Sequence, residues 1–227
     1  MPTKLSGRRS QSAAARYPDM TRGEEVYQKI RQCILKGEFP PAMALSEYQL
    51  AAQFQLSRTP VREALTRLEH EGMVRTVTGH GTFVAEITPH DIMEIYQVRE
   101  QLESFAARVA AERMDADDLC KLEQIIARMD QAESFFETDI DLHKTIIRAT
   151  QNSRMFAILA TLDDQIQRIR SLWPRNPRWL DGTLAEHSLI VKRIIEHDPA
   201  GAEDAMRQHL RSSCQHAIHF LMPMLVD

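Results

Sequence analysis

The chain has 227 residues, of which 43% are hydrophobic and 26% charged, so it can hold one large domain or two modest ones with a buried core each. No apolar run approaches the ~20 residues of a membrane span, no secretory signal is present, and three widely spaced cysteines favour a reducing, cytoplasmic setting. The net charge of -4 divides into +4 for residues 1–84 and -8 for residues 85–227, which suggests a polyanionic partner for the first part only.

The N-terminal part predicts a tail followed by two short helices. Residues 1–20 are rich in Ser, Ala, Gln and Arg and have little apolar content, so a disordered tail is expected. Apolar residues recur with helical spacing from Arg22 to Lys36, and Gly37 supplies a C-terminal stop. Ser46 and Gln49 have the spacing of a capping box, which predicts that a second helix begins there.

The stretch from Ser57 to Leu68 predicts a third helix with two different faces. Arg58, Arg62 and Thr66 lie one turn apart on one face, and Ser57 or Thr59 is the expected N-cap. The other face is an apolar stripe with the spacing i, i+3, i+4, i+7, formed by Val61, Ala64, Leu65 and Leu68. Such a helix suits a DNA major groove, because arginine matches both the guanine edge and phosphates.

Two β-prone runs follow the third helix. Val74–Val77 and Thr82–Val84 flank the turn Thr78-Gly79-His80-Gly81, whose glycines allow the backbone to approach a minor groove closely. Three helices and a glycine-tipped hairpin predict a winged helix-turn-helix domain over residues 21–86. His80 is either a contact to phosphate or a base edge, or an ordinary exposed turn histidine.

Every signal after Val84 is helical, so the expected fold class is mainly α, with a second domain over residues 87–227. Val98 and Phe105 are among the periodic apolar positions of its first helix. About six helices with short connections predict an antiparallel bundle, and the Pro- and Arg-rich segment from Trp173 to Gly182 is expected to be a surface loop or the edge of a lid. The expected helices are Thr88–Arg113, Asp115–Met129, Thr138–Thr150, Ser153–Leu172, Leu184–Glu196 and Pro199–Met222.

One group of residues inside the bundle has the composition of a metal site. Asp139 and His143 are spaced i, i+4 and therefore project from one face of a helix that also turns apolar residues towards the core. His187 and His209 are candidates for the same pocket, which gives a nitrogen and oxygen donor set suited to Zn, Ni, Mn or Fe(II). Spacing alone favours the alternative, in which each histidine is a surface residue or a hydrogen-bonded core residue.

Three further residues are weaker candidates for the same pocket. His216 and His219 follow His209 on the last helix by two and three turns. Arg99, on the first bundle helix, is a candidate anchor for a carboxylate ligand. Its alternative role is an intrahelical ion pair with Glu103 or Glu100.

The motifs of both parts resemble a known family. The N-terminal part resembles the GntR family of bacterial transcription regulators in Gly37-Glu38-Phe39-Pro40, Leu45-Ser46-Glu47, Leu50-Ala51, Ser57-Arg58-Thr59-Pro60-Val61-Arg62-Glu63-Ala64-Leu65 and Gly79-His80-Gly81-Thr82-Phe83-Val84. The remainder resembles the FCD effector domain of the FadR subfamily in Arg99-Glu100-Gln101-Leu102-Glu103, Asp139 with His143, Asn152, Glu186-His187 and Met206-Arg207-Gln208-His209-Leu210. Together these motifs span nearly all of residues 22–222.

The resemblance implies roles for individual residues in DNA binding. Arg58 and Arg62 are expected to contact bases, the wing at His80 and Gly81 to enter the minor groove, and the protein to act as a dimer. The remaining expected DNA contacts are Ser57, Thr59, Thr66 and Tyr48. Tyr48 departs from the family, since many relatives carry arginine there, and this puts one DNA contact and the operator preference in doubt.

The resemblance also implies a divalent metal held by four residues, with a small organic acid bound at or near it, for which Arg99 is the candidate anchor. Zinc is favoured, with nickel, manganese or iron as alternatives, and the four expected ligands are Asp139, His143, His187 and His209. The expected function is a DNA-binding regulator, not an enzyme, whose affinity for a pseudo-palindromic operator is controlled by this acid. It would act as a homodimer without contacting membranes. The alternatives are a metal-dependent enzyme and a plain metal sensor that use the same Asp/His cluster.

Overall fold

The computed structural model describes residues 21–129, 135–171 and 177–221. Their elements, in chain order, are α1 (Arg22–Leu35), β1 (Ala44–Leu45), α2 (Glu47–Phe54), α3 (Arg58–His70), β2 (Val74–Val77), β3 (Gly81–Val84), α4 (Pro89–Arg113), α5 (Ala116–Met129), α6 (Phe135–Ala149), α7 (Ser153–Ser171), α8 (Pro177–Ile195) and α9 (Pro199–Leu221). The fold is therefore mainly α, as predicted. The tail expected over residues 1–20 lies outside the described residues.

Helices α1 and α3 enclose the hydrophobic core of the N-terminal part. The four predicted apolar residues of α3 are all buried, and those of α1 face them. Helix α1 ends just before Gly37, which has φ of 74° as a left-handed C-terminal residue requires. Ser57 is the N-cap of α3, as one of the two predicted options, but its side chain makes no capping hydrogen bond. The apolar stripe of α3 therefore leaves its cationic face towards solvent.

The wing is a three-stranded antiparallel sheet with the strand order β1-β3-β2. Strands β2 and β3 form the predicted hairpin, with Val74 opposite Val84 and Val77 opposite Gly81. Strand β1 was not predicted, because two residues are too short for a period-2 pattern to show. It pairs Ala44 with Phe83 and so closes the free side of β3.

Helices α4 to α9 form the predicted bundle of six around a second hydrophobic core. Its first helix begins with a capping box, in which the Thr88 amide donates to Asp91 Oδ2 at 2.8 Å and the Asp91 amide donates to Thr88 Oγ1 at 3.1 Å. Helix α4 packs against α6, α8 and α9. Among the described helices, none combines the length and apolar content needed to cross a membrane.

Two details of the bundle differ from the sequence prediction. Helix α8 begins at Pro177 rather than Leu184, so part of the predicted loop is helical; the rest of that loop, residues 173–176, lies outside the described residues. Proline fits the first turn of a helix, where its missing amide has no partner to lose, so it starts this helix instead of breaking it. Val98 and Phe105 are 41% and 40% exposed, although their spacing suggested burial.

Candidate functional site

The cationic face of α3 is open to solvent together with the tip of the wing. The side chains of Arg58 and Arg62 are 61% and 63% exposed. Every residue that the sequence analysis assigned to DNA contact is exposed: Tyr48, Ser57, Arg58, Thr59, Arg62, Thr66, His80 and Gly81. The structure thus leaves the whole predicted set accessible to a large ligand.

Glu47, the first residue of α2, forms ion pairs with both arginines. Its Oε1 accepts a hydrogen bond from Arg62 Nε at 2.9 Å, and its Oε2 accepts one from Arg62 Nη2 at 3.0 Å and one from Arg58 Nη2 at 3.1 Å. The hydrogen bonds from Arg62, with those from Arg58, lower the pKa of Glu47 to about 2 despite slight desolvation. Sequence reasoning missed this contact because it joins two helices across a turn.

The wing tip has the conformation that its glycines permit. Gly79 and Gly81 have φ of 79° and 106°, which is the left-handed region that favours glycine. His80 lies between them, is exposed, and places Nδ1 3.1 Å from the carbonyl oxygen of Thr78. His80 therefore lies exposed at the tip of the wing.

The four predicted metal ligands come together in the bundle core. Helix α6 contributes Asp139 and His143, α8 contributes His187 and α9 contributes His209, and all four side chains are buried. One ligand atom from each lies within 4.8 Å of the others. Tetrahedral ligands at ~2.1 Å from one ion are about 3.4 Å apart, so the four side chains would have to draw together by roughly 1 Å to hold one. We call these residues the Asp/His cluster.

Two glutamates orient the imidazoles of the Asp/His cluster. Glu103 Oε2 lies 2.5 Å from His143 Nδ1, and Glu186 Oε2 lies 2.9 Å from His209 Nδ1. Carboxylates in this position hold the tautomer of metal-binding histidines, so that Nε2 is left as the ligand atom. Both glutamates were part of family motifs, and Glu103 was also considered as a partner of Arg99, but neither was predicted in this role.

Several imidazole nitrogens of the cluster lack the partners that buried polar atoms normally have. Within the described residues, His143 Nε2 and both ring nitrogens of His187 make no hydrogen bond. His187 Nε2 lies 3.1 Å from Asp139 Oδ1, but without the alignment of a hydrogen bond. An unsatisfied buried polar atom costs ~1–3 kcal/mol. Unpartnered nitrogens grouped around one carboxylate are better explained by a divalent cation site than by a purely structural role in the core.

The charge states of Asp139 and His209 suit metal binding, whereas Glu103 and Asp139 outweigh burial at His143 and raise its pKa. Burial opposes the ionisation of Asp139, but Arg170 Nη2, 2.5 Å from Oδ2, and the imidazoles of His143 and His187 outweigh it and hold the pKa of Asp139 well below its ordinary value. Burial, together with His187 and His143, holds the pKa of His209 well below its ordinary value. An anionic carboxylate and a neutral imidazole are the forms that bind metal.

A small cavity of about 30 Å³ adjoins the cluster and is lined by Arg99, Glu103, His143 and Arg170, among others. It has room for about two waters. Arg99 Nε donates to Glu103 Oε1 at 2.6 Å, which is the intrahelical pair considered as its alternative role. Arg170, which sequence reasoning missed, is buried with an unpartnered Nε among the described residues. In the sequence, the one signal for Arg170 is a charged residue among the apolar positions of α7, which indicates a cation turned towards the core.

The two remaining histidine candidates lie outside the site. His216 and His219 are exposed on α9 and do not line the cavity. At 1.5 Å rise per residue they lie ~10 and ~15 Å further along α9 than His209. They are therefore excluded as pocket residues.

Helix α7 carries Arg170 at one end and contacts the N-terminal part along the same length. Arg170 reaches Asp139 of the cluster. The contacts to the N-terminal part are the bidentate pair of Asp164 with Arg31, the hydrogen bond of Gln165 Nε2 to the Glu71 carbonyl at 3.0 Å, and the hydrogen bonds of Arg168 to the Gly72 and Ala85 carbonyls. One helix thus touches both the cluster and the helix-turn-helix part.

Comparison with known proteins agrees with these features. Residues 22–84 match the family of bacterial regulatory proteins, gntR family, and residues 94–212 match the FCD domain. The chain is 26% identical over 204 residues to the HTH-type transcriptional regulator YdhC of Bacillus subtilis (strain 168), covering 87% of this chain and 91% of that protein. It is 31% identical over 211 residues to the Exu regulon transcriptional regulator of Escherichia coli (strain K12), covering 83% and 80%.

A solved structure shows the same fold. A GntR transcriptional regulator from Rhodococcus sp. RHA1 superimposes with a TM-score of 0.72 at 20% identity, covering 87% of this chain and 98% of that chain. These relatives are regulators and not enzymes, which confirms the expectation for this chain. The chain therefore belongs to the GntR family of bacterial regulatory proteins with an FCD domain, and it is a DNA-binding transcriptional regulator.

Proposed function

We propose that this regulator binds its operator as a homodimer and that a small organic acid at a metal-containing pocket controls the operator affinity. In this proposal residues 21–86 bind DNA, and residues 87–227 bind the metal and the effector and form the dimer. The observation that carries the proposal is the Asp/His cluster, whose four buried ligand atoms lie within 4.8 Å of one another.

The proposed DNA surface consists of the α3 face and the wing. Arg58 and Arg62 would read base edges in the major groove, where a good bidentate contact discriminates by ~1–3 kcal/mol. Ser57, Thr59, Thr66 and Tyr48 would contact the backbone or neighbouring bases, and His80 with Gly81 would enter the minor groove. The shared exposure of these residues and the burial of the opposite face of α3 support this orientation.

The proposed metal ligands are Asp139, His143, His187 and His209. Three imidazoles and one carboxylate favour zinc, with nickel, manganese or iron as alternatives. The bound ion would supply a positive centre that attracts a carboxylate of the effector. The unpartnered nitrogens of His143 and His187 support this assignment, because a cation would satisfy one nitrogen on each ring.

A carboxylate effector would find two cationic side chains beside the ion. Arg170 has an unpartnered Nε at the cavity, whereas Arg99 is engaged by Glu103. We therefore propose Arg170 as the principal anchor and Arg99 as a secondary one. Since the cavity measures only about 30 Å³, an organic acid needs the neighbouring helices to separate. That rearrangement would be the conformational signal.

Helix α7 would transmit the signal to the DNA-binding part. An ion on Asp139 competes electrostatically with Arg170, and an anionic effector attracts Arg170 away from Asp139. Any shift of α7 acts on Asp164 and Gln165, which hold the helix-turn-helix part. Control of operator affinity then requires only that the ligand binds the two arrangements with different affinity.

The exposed apolar residues of α4 support the proposed homodimer. Val98 and Phe105 are spaced i, i+7, and both are about two-fifths exposed on one face of a helix whose other face is in the core. Apolar side chains on one helix face favour burial against a second copy of the same helix. A two-fold dimer would place two α3 helices in successive major grooves, ~34 Å apart.

A second candidate is a plain metal sensor, because an ion needs only small side-chain shifts at the Asp/His cluster, whereas an organic acid does not fit the small cavity beside it. An operator selected from random DNA with the metal-loaded protein separates the two functions. Its affinity is measured by fluorescence anisotropy after chelation, with added zinc, and with zinc and a panel of small carboxylic acids. An acid that changes affinity only in the presence of metal supports the proposal. A response to metal alone, with none to any acid, supports the sensor.

A further inference from the structure

We propose that Glu47 is a positioning residue that holds Arg58 and Arg62 in the geometry that reads the operator and lowers binding to other DNA. This inference rests on the proposed base-reading role of the two arginines. It goes beyond that role because it assigns operator specificity to an acidic residue, which by charge alone would be expected to oppose DNA binding.

The first support is the edge of the guanidinium that Glu47 occupies. Arg62 donates to Glu47 through Nε and Nη2, which form the side edge of the planar group. The end edge, formed by Nη1 and the second hydrogen of Nη2, makes no hydrogen bond within the described part of the chain. A guanidinium can donate from its end edge to the O6 and N7 atoms of guanine while its side edge remains on a carboxylate. Glu47 therefore leaves the end edge of Arg62 free to donate to a base.

The second support is that one carboxylate holds both arginines. Oε2 of Glu47 accepts from Arg58 Nη2 at 3.1 Å and from Arg62 Nη2 at 3.0 Å. Long cationic side chains lose rotamer freedom when they bind, and a side chain already held in place loses less. Because the side chains are more than half exposed, packing against the described residues does not fix them on their solvent side. Glu47 is the contact that orders the pair before DNA arrives.

The third support is the charge of Glu47 at the DNA-facing surface. Two arginines and one glutamate give this group a net charge of +1 instead of +2. Non-specific DNA binding depends on the number of phosphates that cations neutralise, so the carboxylate weakens it. The same carboxylate preorganises operator contacts and therefore acts in opposite directions on the two kinds of DNA.

The inference is tested with Glu47→Ala, Glu47→Gln and the matched control Glu63→Ala. Glu63 is exposed on α3 beside Arg62, and within the described residues it forms no ion pair with either arginine, so its removal changes the charge by the same amount. Affinities for the selected operator and for random DNA are measured at one salt concentration. Thermal unfolding is followed in parallel, because Glu47 also stands in the first turn of α2 and favours that helix terminus.

Glu63→Ala is expected to strengthen both kinds of binding equally, about two- to threefold. Glu47→Ala is expected to strengthen binding to random DNA but weaken operator binding, so that the operator-to-random ratio falls at least tenfold. Glu47→Gln keeps one acceptor oxygen and should fall between wild type and Glu47→Ala. It also keeps the side-chain length, so its operator-to-random ratio tests the inference if Glu47→Ala fails to fold.

Two outcomes overturn the inference. One is an unchanged ratio in Glu47→Gln and Glu47→Ala, as in the control; the other is tighter operator binding, which would make Glu47 a competitor of DNA. Arg62→Ala separates this failure from that of the proposed function. If Arg62→Ala weakens both kinds of DNA equally, the base-reading role itself is wrong. If it weakens the operator selectively while the Glu47 variants behave like Glu63→Ala, only the role of Glu47 is wrong.

Discussion

The contact between α7 and the helix-turn-helix part can be tested at a single glycine. Gly72 has φ of 69°, and a Cβ placed on it would lie 2.7 Å from Gln165 Nε2. Gln165 would have to turn away, and its hydrogen bond to the Glu71 carbonyl would be lost. Gly72→Ala therefore combines backbone strain with the loss of one interdomain contact, and it perturbs α7 without touching the Asp/His cluster.

Gly37 is the matched control, because it has φ of 74° and a Cβ added to it would meet nothing within 4 Å among the described residues. Left-handed backbone costs a non-glycine residue ~1–2 kcal/mol, so Gly37→Ala should lower the free energy of unfolding by that amount. Gly72→Ala should cost a further ~0.5–1.5 kcal/mol for the lost hydrogen bond. Urea unfolding measures both losses, provided that the slope m of the unfolding free energy against urea concentration is unchanged.

The same pair of variants tests the coupling through α7. We expect Gly37→Ala to keep the wild-type change of operator affinity on adding metal and effector, and Gly72→Ala to lose part of it. Equal unfolding free energies in the two variants would show that Gln165 relaxes without cost. An undiminished response in Gly72→Ala, despite its lower stability, would show that the signal does not pass through this contact.

Three other predictions concern the metal, the dimer and the DNA. Zinc at 100 times its Kd should stabilise the protein by ~2.7 kcal/mol and raise Tm by ~5–10 °C. This rise in Tm should be absent in His187→Ala and present in the control His216→Ala, whose histidine is exposed. Equal rises in the two variants would place the metal elsewhere. Val98→Asp with Phe105→Asp should give a folded monomer in sedimentation, and a persistent dimer would reject the α4 interface. Raising salt from 50 to 200 mM should weaken operator binding ~10³- to 10⁵-fold if 6–10 phosphates are contacted, and a flat response would contradict phosphate-dominated binding.

Local signals predicted most elements because their causes are local. The stripe from Val61 to Leu68 matches the period of a helix, and the buried face of α3 follows it. Gly37 and the Thr88 capping box act within one turn of the helix ends that they define. Pro177 was misjudged because the same residue can end one helix or begin another, and its neighbours in sequence do not decide which.

The sequence by itself determined the individual helices and the wing hairpin and placed Asp139 and His143 on one helix face, since each depends on neighbours within a few residues. Only the tertiary structure decided which distant side chains meet. It brought His187 and His209 to the cluster and excluded His216, placed Arg170 on Asp139, and joined Glu47 to the two arginines of α3. Periodicity specifies which face of a helix is buried, but the packing angle and the register between helices decide what that face contacts.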